Sequence, residues 1–130
     1  MSDAVKLHNF IVFAPDKEGV DRQPFRPEHL QRILEFHATG VLKYGGMMAT
    51  PESITGGEQK LVSVVYSVRR IKLTHRIVQI GSLVIIQGES LEAVRKIIED
   101  DAYYRNGIWD PERLVILPFV LGLPWAGIHD

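Results

Sequence analysis

The 130-residue chain contains no cysteine, which excludes a disulfide framework, thiolate metal sites and a cysteine nucleophile, and suits a reducing compartment. It also lacks a charge bias. Fifteen basic against sixteen acidic side chains leave a formal net charge of −1, so no long-range field gathers polyanions or anionic surfaces. Neither nucleic acid nor membrane is expected as a partner. No long unbroken apolar run is present: the longest tract, Leu114 to Gly127, is interrupted by Pro118 and Pro124 and falls short of the roughly 18 residues of a spanning helix. The opening segment, with Ser2-Asp3 before a brief apolar stretch from Phe10 to Ala14, does not read as a secretory signal. A cytoplasmic location is the expectation. Nucleotide fingerprints are missing too, because Gly40 to Gly46 does not have the lysine position or spacing of a phosphate loop.

What remains is an ordinary single-domain composition over residues 1–130, with 45% hydrophobic and 24% charged residues, enough to bury a modest core. Leu7, Asn9, Ile11 and Phe13 alternate with His8, Phe10 and Val12, so a first strand has two largely apolar faces. Asp16 to Pro24 is a polar loop. Pro27 presets a first helical turn, Leu30, Ile33, Leu34 and His37 follow at helical spacing, and Gly40 ends the helix. A second strand covers Val41 to Ala49 and holds Gly45-Gly46, where missing side chains let a ligand approach the backbone. Lys60 to Val68 and Arg76 to Gln87 are rich in β-branched residues and read as strands. Ser90 suits an N-cap for a second helix with an apolar stripe of Leu91, Val94, Ile97 and Ile98, and Arg113 to Val120 reads as the last strand.

This order is β-α-β-β-α-β with one extra strand-like segment, an α+β arrangement of the ferredoxin-like type with an antiparallel sheet and two helices on one face. The other apolar face then needs a cover, and a second copy of the chain is the simplest one, so a homodimer is expected.

Two short segments carry candidate chemistry: Arg26-Pro27-Glu28-His29-Leu30, and Asp100-Asp101-Ala102-Tyr103-Tyr104 with Leu117-Pro118-Phe119 downstream. At about 100° per residue, with Leu91 at zero, Asp101 falls near 280°, inside the arc of Val94, Ile97 and Ile98, while Asp100 falls near 180°. On the first helix His29 falls beside Phe36 on the flank of the apolar stripe. An inward carboxylate is costly unless it finds a donor, and His29 is one it can meet. A carboxylate on one imidazole nitrogen fixes the tautomer and makes the other a better base.

The order and spacing of these segments resemble the YciI-like (YCII-related) family, small ferredoxin-like chains that pair into a dimeric α+β barrel. The resemblance covers roughly Lys6 to Gly57 and Ser82 to Phe119. It implies His29 as proton-transfer residue, Asp101 as its orienter, Arg26 as a binder of substrate oxyanion, and Gly45 and Gly46 as pocket lining. It also implies a cofactor-independent enzyme of the lyase, dehydrochlorinase or isomerase type, acting on a small polar or hydroxylated aromatic substrate. The chain departs from the family where Asp-Pro-aromatic is replaced by Asp101-Ala102-Tyr103, which relaxes a turn and keeps the acid and the aromatic. Residues 58–81 fall outside the resemblance and read as an added hairpin or as retained non-coding sequence, and 120–130 forms an apolar tail.

Plainer roles stand beside these. Tyr103 is a pocket wall and hydrogen-bond donor, or an aromatic packed on the sheet. Asp101 is an orienter, or a cap. The whole pair is a catalytic dyad, or a buried polar tie in a non-catalytic dimeric module that binds a small molecule or serves a structural role. His37, on the apolar stripe, reads as a satisfied core histidine; Trp109 and Trp125 read as packing the C-terminal tail. The basic cluster Arg69, Arg70, Lys72, His75 and Arg76 reads as a solvated face, and no histidine spacing suggests a metal.

Overall fold

A computed structural model describes residues 5–54 and 78–123. The elements run β1 (His8–Pro15), α1 (Arg26–Ala38), β2 (Leu42–Ala49), β3 (Gln79–Gly88), α2 (Leu91–Glu99), α3 (Ala102–Arg105) and β4 (Val115–Pro118). The strands form one sheet in the order β2-β3-β1-β4, with every neighbouring pair antiparallel. β3 therefore lies between β1 and β2 and splits a parallel pair, which is the ferredoxin-like α+β fold. The short helix α3 is an addition to the expected pattern. Residues 79–81, which the sequence assigns to the end of an insertion, begin β3; the expected strand at 60–68, the basic cluster at 69–76 and Trp125 lie outside the described residues.

Register fixes which side chains meet. Val12 lies opposite Val84 on β3 and Ile116 on β4, and Leu42 on β2 lies opposite Ile86, so one face of the sheet carries a continuous apolar row. That row joins Phe10, Ala14, Val94, Ile98, Tyr103, Ile108 and Trp109 in one buried cluster. Fully burying side chains of this size contributes about 1.5–3 kcal/mol each. On the opposite parity Phe13, Val115 and Leu117 stay exposed, with Leu117 at 55%, leaving an apolar strip on the sheet face turned away from the helices.

The two long helices sit on the same face in different ways. α2 begins at Ser90, whose Oγ accepts from the Ala93 N–H at 3.0 Å, and buries Val94 and Ile98 completely or nearly so. α1 starts without a side-chain cap and has no fully buried residue; Ile33 and Phe36 pack only partly on the core and Leu34 is 65% exposed. The expected apolar stripe of α1 faces a cavity instead of a packed core. No helix among the described residues is long and apolar enough to cross a membrane.

Candidate active site

Between α1 and the β2–β3 half of the sheet lies a cavity of about 430 Å³, and His29, Arg26, Tyr103, Gly45 and Gly46 all line it. His29 sits in the first turn of α1, where Pro27 leaves the helix free to start at Arg26. Its Nδ1 stands 2.8 Å from Asp101 Oδ1 and 3.0 Å from Oδ2. A carboxylate can only accept, so Nδ1 carries the proton and Nε2 is the free, basic nitrogen. The two side chains are 11% and 4% exposed, which keeps water from competing for the bond.

Asp101 reaches this position by a different route from the one that helical phase suggests. α2 ends at Glu99, Asp100 is its C-cap, and Asp101 is extended at φ −74°, ψ 145° as the N-cap of α3. Its Oδ1 accepts the Tyr103 N–H at 2.8 Å as well as the His29 proton, so the carboxylate is cap and histidine partner together. Ala102 stands at the first position of α3, where proline is merely well suited and alanine serves, so the departure from Asp-Pro-aromatic leaves this turn intact.

Tyr103 is buried, and its ring lies flat on the His29 ring, centroids 3.9 Å apart and planes 9° from parallel. Burial raises the phenol pKa above 10.0, against a smaller downward pull from Arg26, which acts on the hydroxyl as a charge and as a hydrogen-bond donor. Tyr103 is therefore a neutral phenol over the neutral pH range, and it links the guanidinium of Arg26 to the face of His29. Arg26 itself is half-buried at the start of α1. Gly45 and Gly46 are exposed on β2; a Cβ on Gly45 would press on Val84 Cγ1 at 3.2 Å, whereas one on Gly46 meets nothing within 4 Å.

Three features lie outside the sequence expectations. Trp109 is not a fastener for the tail: it is 2% exposed, sits edge-on to both His29 and Tyr103, and donates from Nε1 to Ser82 Oγ at 3.3 Å. The tight turn at Gly107, with φ +73°, brings it back under the site, a contact that no local pattern announces. His37 is exposed and lines the far end of the cavity, with Nδ1 held 3.3 Å from the Leu42 carbonyl, because the stripe it belongs to has no core beneath it. Asp16 and Arg22 form a largely buried ion pair where β1 ends, and Arg22 Nη2 also donates to the Gln79 carbonyl at 2.9 Å. Among the described residues no group of three or more histidine, cysteine or acidic side chains is arranged to hold a metal ion.

No protein-family model matches the chain and no curated protein matches it in sequence. Among solved structures it is similar to 5-chloro-2-hydroxyhydroquinone dehydrochlorinase from Burkholderia phenoliruptrix AC1100, determined in complex with 2,5-dihydroxybenzoquinone. The likeness has a TM-score of 0.63 at 19% identity over 88% of this chain and 95% of that one, and it establishes a shared fold.

Proposed function

We propose that the chain is a cofactor-independent acid–base enzyme of the lyase, dehydrochlorinase or isomerase type, with a small hydroxylated aromatic or similarly polar substrate. The observation that carries this reading is a histidine oriented by a buried carboxylate at 2.8 Å on the wall of an open cavity. A sealed polar tie would have no such cavity, which favours catalysis over a purely structural module. His29 Nε2 takes the substrate proton, Asp101 stabilises the imidazolium that forms, and Arg26 holds the oxygen on which negative charge collects. In an elimination the electron pair left behind forms the new double bond and the leaving group departs as its anion; in an isomerisation the same proton returns to another carbon. Both balance without an oxidant or reductant.

The fold shared with a dehydrochlorinase named for a chlorinated hydroxyhydroquinone supports this substrate class. The test is a screen of chlorinated hydroquinones, hydroxyquinols and lactones against wild type and His29→Ala, followed by absorbance and chloride release. Positioned acid–base catalysis contributes about 10²–10⁴-fold, so His29→Ala should lose that factor while Tm changes little. Equal turnover by the two proteins removes His29 from the mechanism. We also propose that two copies pair through the strip containing Phe13, Val115 and Leu117. Sedimentation should show a dimer that Leu117→Glu converts to monomer; a monomeric wild type would end that part of the reading.

A further inference from the structure

The cavity, at about 430 Å³, is larger than a single ring requires, and polar side chains line it beyond His29. From α1 it is lined by Arg26, His29, Leu30, Ile33, Leu34 and His37, an i, i+3, i+4 series along one face of the helix. His29 and His37 are eight residues apart, so at 1.5 Å per residue they stand about 12 Å apart along the helix axis. Between them the lining is apolar, with Leu42 and Val84 contributed by the sheet. Beyond them, at the His37 end, is Lys43. It lines the cavity, and its Nζ lies 3.9 Å from where a Cβ on Gly40 would stand, beside the C-terminal end of α1. No carboxylate among the described residues pairs with Lys43, while His37, whose Nδ1 donates to the Leu42 carbonyl, offers Nε2 only as an acceptor and leaves the cation to Lys43.

We propose that the ligand is elongated and carries two polar ends: a hydroxylated ring at His29 and Arg26, and a carboxylate or comparable anion at Lys43. This rests on the acid–base reading for the first end and adds a specificity-determining cation for the second. The two ends do different work. The inner one orients the group that exchanges a proton, and the outer one selects substrates by length and charge at the solvent-exposed mouth. A single benzene ring seated against His29 is too short to touch Lys43.

Isothermal titration with three probes tests the proposal: hydroquinone, 4-hydroxybiphenyl, and 4′-hydroxybiphenyl-4-carboxylate. The carboxylate should bind about tenfold or more tighter than 4-hydroxybiphenyl, the worth of a charge-assisted contact. That gap should close in Lys43→Met, survive in Lys43→Arg, and shrink with added salt. Lys43→Met should leave hydroquinone binding unchanged. If the carboxylate adds nothing in wild type, if Lys43→Met keeps the whole gap, or if no biphenyl binds, the two-ended ligand is overturned. The catalytic reading fails separately, when His29→Ala turns over a chlorinated hydroquinone as fast as wild type.

Discussion

α1 and α2 rest on the same face of one sheet, yet one is packed and the other is held off. At Gly88 a single added Cβ would meet Val94 Cγ2 at 2.7 Å, so α2 lies directly on β3. At Gly45, which shares the helix-side face with Val84 on the α1 half, the nearest atoms to an added Cβ are side-chain atoms of Val84 and Leu42, at 3.2 and 3.4 Å, all from the sheet and none from α1. The α2 half closes a dry core with Ile98 and Val94, and the α1 half leaves space that His29, Arg26 and Lys43 surround. Packing thus falls to α2, and in the proposed function binding falls to α1. The His29–Asp101 bond is where the halves meet, since one partner comes from the first turn of α1 and the other from the turn just after α2.

That division is broken most strongly by changing the bond itself. Asp101→Asn should cost the greater part of the His29 effect on turnover, because an amide can present its NH₂ to Nδ1 and hold the ring in the wrong tautomer. The expected loss is about 10²-fold or more in kcat with KM little changed. The variant keeps an oxygen for capping Tyr103 N–H, so the protein should still fold. A fall in KM affinity alone, with kcat intact, would make Asp101 a structural tie.

Packing provides the next largest contrast. Ile98→Ala should lower unfolding free energy by about 2–5 kcal/mol, as for other buried aliphatic truncations. Leu34→Ala on α1, at 65% exposure, should stay within about 0.5 kcal/mol. Urea unfolding of the two variants measures both. Similar losses would mean that α1 is packed on the core after all. A smaller effect of the same kind is expected at the caps: Ser90→Ala removes the bond to Ala93 N–H and should cost about 1 kcal/mol, whereas α1 has no side-chain cap to lose.

The sequence makes the packed half more legible than the open half, and the reason is range. Ser90 and the Val94–Ile98 spacing are local signals, and strand alternation from Phe10 to Ala14 is read within a few residues. The same local spacing on α1 suggests burial for His37 and Leu34, but burial depends on what lies beneath, and there the sheet edge stands away from the helix. A register shift between Leu42 and Tyr44 adds to this, because an irregularity in β2 has no fixed sequence signature and decides which glycine faces which neighbour. Asp101 is the subtlest case. Helical counting gives it an inward direction, but the helix has already ended, and a capped turn aims the carboxylate. Trp109 joins the site only through the fold of the chain around Gly107, and nothing near it in sequence points to His29.

The smallest expected effect separates the entrances to the two halves. The turn into α1 is held by Asp16 with Arg22, and the turn into β4 by half-buried Asp110 with Arg113, whose Nε donates to Oδ2 at 3.0 Å. Burial raises the Asp16 pKa above 3.8 despite the opposing pull of Arg22, while the hydrogen bond from Arg113 lowers that of Asp110 below 3.8. The signs of their linkage are opposite. Asp110 contributes stability that is complete above 3.8 and lost as pH falls through its lower folded value. Asp16 contributes stability that is complete below 3.8 and lost as pH rises through its higher folded value. Asp110→Asn should therefore differ from wild type at pH 6 and converge with it in strong acid. Asp16→Asn should lose ground to wild type as pH falls from 6 towards 4, the reverse slope. Thermal melts across pH 2–6 resolve the two, and parallel slopes would show that burial does not set the balance at Asp16.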